Sequence, residues 1–283
     1  MTPHDDEPRL AELLRRTDAI ADGAPVADTV PTGFPTLDRL LGGGLRRGDL
    51  VVLGGDVGTG KSALALAMAL RAAEEGHPVT FLSGEMSPTR VHERLLAIEG
   101  RASIDSLRSG TMDEETRASL GSVALRAPGT LPVVRAMPQD GSDSLDAEAR
   151  QEPKASLLVI DSLQHVHGAG APAENNAQAV LALKEIAMRN HVAVLVTAHL
   201  PELPPKRENL RPQLHDFGAL GAIKQLADVV LGLFREEIYH PVPGSEGAAE
   251  LAILKNRHGP TTYIDLYFYK QWLRFEDMVD PDR

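Results

Sequence analysis

The chain has 283 residues, 42% of them hydrophobic, with a net charge of −11 and no cysteine. That size and apolar content suit one large domain with short appendages and exclude a disordered chain. Disulfides and cysteine-ligated zinc are excluded, and a DNA contact spread over the whole surface does not fit so acidic a protein.

The N-terminus, MTPHDDEPRL, is acidic and lacks the pattern of a signal peptide, and no apolar run reaches the length of a membrane span. A cytoplasmic setting is the expectation. Leu10, Leu13, Leu14 and Ile20 fall at helical spacing among charges, which predicts an amphipathic helix over Glu7–Ala21. The run ADGAPVADTVPTGF reads as a loop. Residues 1–28 are therefore expected to form an appendage, packed on the main domain or on a neighbouring subunit.

Residues 29–283 read as the main domain. Strands are predicted over Asp49–Gly54, Pro78–Ser83, Ser156–Asp161, Val192–Ala198, Asp228–Phe234 and Leu251–Lys255. Helices are predicted over Ser62–Glu75, Pro88–Glu99, Asp113–Arg126 and Glu174–Asn190. Thr261–Tyr269 alternates and reads as a late, partly antiparallel strand. Pro138–Pro153 and His240–Gly247 are polar and read as loops. Near-continuous Val/Leu/Ile strands alternating with helices imply an α/β fold, a mainly parallel twisted sheet covered on both faces.

Residues Gly55, Asp56, Val57, Gly58, Thr59, Gly60, Lys61 and Ser62 fit G-x-x-x-x-G-K-[ST] between a predicted strand and a predicted helix. Glycines let backbone N–H groups turn inward around phosphate oxygens, and the helix N-terminus adds its dipole. Lys61 is expected to reach the β- and γ-phosphates of a nucleoside triphosphate, most simply ATP. Ser62 is expected to offer its hydroxyl to Mg²⁺.

Three polar residues end strands. Asp161 closes SLLVID, at the sheet edge where open α/β folds bind ligands; it is expected to be the second metal-side group, the alternative being a strand-ending Asp that caps a loop. Glu85 follows PVTFLSG. It either orients the attacking water, next to the phosphate-loop strand if sequential strands are neighbours, or caps the helix at Pro88. His199 ends VAVLVTAH and either contacts the γ-phosphate or is a solvated or core histidine.

Several segments in order resemble the C-terminal ATPase domain of DnaB-type replicative helicases, a RecA-like ring motor. They are Pro31–Leu40, Leu45–Leu53, the phosphate loop, Ser83–Ser87, Leu158–Gln164, Arg211–Asp216, Ile223–Val230, Phe234–Glu237, Lys255–Pro260 and Arg274–Glu276. The resemblance implies that Glu85 is the catalytic carboxylate and Asp161 the Walker B metal-side residue. It implies that Lys255 and Arg257 reach the ATP site of a neighbouring subunit. A homo-hexamer with ATP sites at its interfaces, and single-stranded DNA in its central pore, would follow.

The chain departs from that pattern in places. The family's large N-terminal helical domain has no counterpart among the segments that carry the resemblance, and the expectation is a chain without it. His199 stands where the family carries Gln, and its charge would vary near neutral pH. Ser162–Asn176 looks short. Asp216–Gly221 lacks the charges the family often carries beside the pore, with Lys206, Arg207 and Arg211 as the upstream basic residues. The expected function is an ATP-hydrolysing ring motor acting on DNA. The alternative is a RecA-, KaiC- or RadA-like ATPase that regulates a partner without unwinding. Intact Lys61, Ser62, Glu85 and Asp161 argue against a non-hydrolysing subunit.

Overall fold

The computed structural model describes residues 6–22, 28–126, 129–151, 154–166, 171–201, 207–241 and 243–278. In chain order the elements are α1 (Asp6–Ala21), β1 (Thr29–Val30), α2 (Pro35–Leu40), β2 (Leu45–Arg46), β3 (Leu50–Gly55), α3 (Lys61–Glu74), β4 (Val79–Ser83), α4 (Pro88–Gly100), α5 (Ile104–Ser109), α6 (Glu114–Arg126) and β5 (Val133–Ala136). They continue with α7 (Ser142–Arg150), β6 (Leu157–Asp161), α8 (Pro172–Asn190), β7 (Ala193–His199), α9 (Ala222–Leu226), β8 (Val229–Phe234), β9 (Ala248–Asn256), β10 (Tyr263–Tyr269) and β11 (Arg274–Asp277).

The main sheet has nine strands in the order β11-β10-β9-β8-β3-β7-β6-β4-β5. β8, β3, β7, β6, β4 and β5 run parallel. β9, β10 and β11 extend the sheet as an antiparallel meander. β1 and β2 form a separate antiparallel pair.

The apolar strand runs exist because both faces are covered. Val51, Leu53, Leu157, Val159 and Leu195 face one way and join α3 and α4 in one core. Leu50, Val52, Leu158, Ile160, Val194 and Val196 face the other way and meet Leu145 of α7, Leu183 and Ile186 of α8 and Ile223 of α9. The period of two along each strand thus divides one sheet between two cores. α3 is buried without interruption from Ala63 to Leu70. It lies between the sheet, α4 and the aromatic pair Phe268–Phe275 of the meander, with ring centroids 4.5 Å apart. A run of Ala, Leu and Met serves this position, since these residues favour helix and carry no buried polar atom.

Two expectations change. Pro138–Pro153 is not all loop, because α7 occupies Ser142–Arg150 and buries Leu145 and Ala149. Two core contacts in nine residues are too sparse to show as periodicity. The strand bearing Glu85 is not beside the phosphate-loop strand. β7 and β6 lie between β3 and β4, because the chain goes outward to β4 and β5 and then returns inward. On the α1 appendage, expected to pack on the main domain or on a neighbouring subunit, Leu13 and Leu14 are 55% and 59% exposed.

Candidate nucleotide site at the carboxyl edge of the sheet

The parallel register brings the sequence-predicted residues together. Gly55 of β3 lies level with His199 of β7, and Ser83 of β4 lies level with Asp161 of β6. The order β3-β7-β6-β4 therefore sets the phosphate loop, His199, Asp161 and Glu85 side by side along one carboxyl edge. This is the edge where open parallel sheets receive ligands.

The loop itself is tightly specified. Gly58 and Gly60 have φ of 80° and 100°, the left-handed region that disfavours side chains. Thr59 Oγ1 donates to Asp56 O at 2.8 Å, and Lys61 Nζ donates to the same carbonyl at 2.9 Å. The Asp56 carboxylate accepts from Val57 N at 2.7 Å and from the Tyr239 hydroxyl at 2.8 Å. Arg235, buried beside Phe268, donates to Gly58 O at 3.2 Å. The loop after β8 thus braces the outer side of the phosphate loop. On the inner side, a Cβ at Gly54 would come within 2.3 Å of the Phe217 ring, so the strand must approach there as glycine.

Lys61 is only 6% exposed, and burial pushes its ammonium below the usual lysine range, against the pull of Glu85, Asp161 and Asp56. A buried cation with one backbone acceptor suits an anionic ligand within reach.

Asp161 is 1% exposed. Its Oδ1 accepts from Ser62 Oγ at 3.0 Å and from Thr197 Oγ1 at 2.6 Å. Its Oδ2 is buried and has no hydrogen-bond partner among the described residues. Such an orphan costs about 1–3 kcal/mol. Burial raises the Asp161 carboxyl above its ordinary range; the Thr197 and Ser62 hydroxyls oppose this and the Glu85 charge adds to it. An orphaned, electron-rich oxygen beside a serine hydroxyl fits a hydrated divalent cation between loop and strand.

Glu85 sits across from this pair. Its Oε1 meets His199 Nε2 at 2.5 Å and accepts from Ser162 Oγ at 3.0 Å. Burial works against its ionisation, but the His199 and Ser162 hydrogen bonds and the nearby imidazoles outweigh it, so its carboxyl lies below the ordinary range. The helix at Pro88 has Ser87 as its N-cap residue, so Glu85 is not in the capping position. His199 is neither core nor free: besides Glu85, its backbone N–H donates to Gln164 Oε1 at 3.2 Å. The Asp161–Ser162 peptide is cis.

Lys255 and Arg257 are not part of this cluster. β9 runs antiparallel to β8, pairing Lys255 with Val230 and Asn256 with Val229, at the opposite edge of the sheet. At about 3.3 Å per residue, the six residues of β3 put roughly 17 Å between the two edges. Arg257 Nε forms an ion pair with the buried Asp228 carboxylate at 3.0 Å. Asp228 also accepts from Lys184 Nζ at 2.6 Å and from Leu50 N, the first residue of β3, at 2.8 Å. Lys255 Nζ donates to the carbonyls of Lys224, at 2.9 Å, and of Ala227 at the end of α9.

The upstream basic residues are engaged within the chain. Arg207 pairs with Asp216 at 2.6 Å. Arg211 forms a fork with Glu250 at 2.5 and 2.6 Å and lies over the Phe234 ring. Lys206 lies outside the described residues, as do positions 167–170 of the shortened segment. Thr197, Ser162, His165, Tyr239 and Arg235 belong to the site but were not singled out from sequence. Thr197 had a signal, two residues before His199 on the same face of β7.

Such a loop, strand order and carboxylate set define a RecA-like α/β phosphate-loop domain. Residues 29–277 match the family model described as DnaB-like helicase C terminal domain, and the chain belongs to that family. It is 30% identical over 275 residues to the replicative DNA helicase DnaB of Geobacillus stearothermophilus, covering 94% of this chain and 59% of that protein. The chain thus spans a little over half the length of that curated relative. The solved structure of a DnaB-like replicative helicase matches with a TM-score of 0.86 at 24% identity, over 96% of this chain and 67% of that one. The RadB recombinase matches with a TM-score of 0.54 at 19% identity, over 89% of this chain and all of that one. Both show the shared fold. No helix among the described residues is long and apolar enough to cross a membrane.

Proposed function

We propose that the chain is the ATP-hydrolysing motor domain of a ring-forming replicative helicase, working on DNA with ATP and Mg²⁺. The observation that carries this reading is the orphaned Asp161 Oδ2 beside Ser62, on one sheet edge with Lys61 and Glu85. Bound magnesium and triphosphate supply a polarised γ-phosphoryl group. The chain's own residues do the rest. The Gly55–Ser62 backbone holds the phosphates. Lys61 compensates β- and γ-phosphate charge, Ser62 and Asp161 hold the metal and its water, and Glu85 orients and deprotonates the attacking water. His199 senses the γ-phosphate.

Lys255 and Arg257 cannot serve the loop of their own chain across the sheet. They act on the next copy's nucleotide in a homo-hexamer, with residues 1–28 as the appendage whose exposed Leu13 and Leu14 dock on that neighbour. Lys61→Ala lowers kcat/KM for ATP by about 100-fold, the scale of losing one charged phosphate donor; normal hydrolysis in that variant removes the central assignment.

A second reading, an ATPase that regulates a partner, draws on the pairing of Arg207 and Arg211 within the chain. Their charge is committed to Asp216 and Glu250. The turn that follows Asp216 exposes Leu220, 70% accessible, rather than a cation. ATP turnover measured with and without single-stranded DNA, beside the mass of the assembly, separates the two. A DNA-stimulated hexamer supports the motor, and a DNA-indifferent ATPase supports the regulator.

A further inference from the structure

We propose that Ser162 and His165 are positioning residues that hold Oε1 of Glu85, so that Oε2 is the oxygen presented to the attacking water. The proposal rests on the reading of Glu85 as the water-orienting carboxylate and adds to it a second group of residues, from the end of a different strand.

Both side-chain contacts to Glu85 converge on one oxygen. Ser162 Oγ and His199 Nε2 lie 3.0 and 2.5 Å from Oε1, and among the described residues no hydrogen bond reaches Oε2. Ser162 Oγ also lies 3.0 Å from His165 Nδ1. A hydroxyl has one proton to give, and an ionised carboxylate only accepts. The Ser162 proton therefore points at Glu85. His165 must then carry its proton on Nδ1 and donate to Ser162 Oγ. The chain of donors runs one way, from His165 through Ser162 to Oε1, and it sets both the imidazole tautomer and the hydroxyl rotor.

The backbone keeps this chain in place. Gly84 N donates to Asp161 O at 2.6 Å, and His165 N donates to Ser162 O at 3.0 Å. Gly84 admits the imidazole: a Cβ at that position would come within 2.3 Å of His165 Cβ. Ser162 is 1% exposed, whereas the Glu85 side chain is 30% exposed and extends past the end of β4. A partly exposed carboxylate is thereby tied to a buried hydroxyl. Misplacing a reacting group by about 1 Å costs up to roughly 100-fold in rate, so the tie bears on turnover rather than on nucleotide binding.

The test is steady-state ATP turnover of the whole chain with single-stranded DNA, with binding of a non-hydrolysable ATP analogue and thermal melting measured alongside. Ser162→Ala is expected to lower kcat by about 10- to 100-fold and leave KM for ATP within about twofold. His165→Leu should fall similarly. His165→Asn, whose amide N–H stands near the place of Nδ1–H, should recover most of the rate. Ser162→Cys, a near-isosteric weaker donor, replaces Ser162→Ala if that variant loses its melting transition.

Wild-type turnover in Ser162→Ala overturns the proposal. So does a matched rise in KM with His165→Asn no better than His165→Leu, which marks a packing role. Glu85→Gln is run in parallel. If it is inactive while Ser162→Ala is normal, only the positioning role fails. If Glu85→Gln hydrolyses normally, the parent reading of Glu85 fails with it.

Discussion

Arg257→Ala is expected to lower ATP turnover by about 1000-fold, the lower range for an arginine supplied to a phosphoryl-transfer site. The loss should occur with the phosphate loop of the same chain intact, because Arg257 lies at the far edge of the sheet from that loop. A mixing experiment makes the effect specific. Alone, Lys61→Ala and Arg257→Ala are each expected to keep about 1% or less of wild-type activity. A junction that takes its loop from an Arg257→Ala copy and its arginine from a Lys61→Ala copy has both groups. Random mixing of the two variants should restore such junctions at about a quarter of positions. Activity rising well above that of either variant when the two are combined is the expected result. No recovery, in particles shown to be mixed, removes the shared site.

Glu85→Gln is expected to bind ATP normally and lose about 10²- to 10⁴-fold in kcat, the range for a positioned general base. The amide keeps the size of the side chain but cannot take a proton. It also presents Oε1 and Nε2 differently to Ser162 and His199, which now donate to Oε1. KM should therefore change little while kcat falls. Rapid single-turnover measurements should show the same deficit, since the missing step is the chemical one. Turnover equal to wild type would move the base to another group.

The phosphate loop was legible because its chemistry is local: eight consecutive residues carry glycines, lysine and serine in a fixed order, and strand and helix flank them. Asp161 and His199 were legible because each ends an apolar run. The order of strands was not. Sequential strands often pair, yet β4 lies beyond β7 and β6 from β3, and only long-range packing decides that. The edge strand β5 was missed because its end residues Val133 and Ala136 are exposed and it shows no buried alternation. The engagement of Arg207 and Arg211 was hidden for a similar reason. Glu250 lies 39 residues from Arg211 and reaches it only because β9 returns beside β8. The Ser162–His165 pair was invisible because its meaning depends on Gly84, on another strand, leaving room for an imidazole.

Asp228 holds the first residue of β3 and Arg257 together, while the last residue of β3 opens the phosphate loop. In the proposed ring, one strand would carry the arginine offered to one neighbour at its first end and the loop that receives another neighbour's arginine at its last. These two ends do not lie in a single surface patch, so a two-fold axis cannot pair them. Copies joined through them repeat head to tail, and such a contact closes on itself or winds on as an open helix according to the rotation between successive copies. In that proposed assembly the stoichiometry would be an angle, set by how the arginine end of one strand meets the loop end of the next.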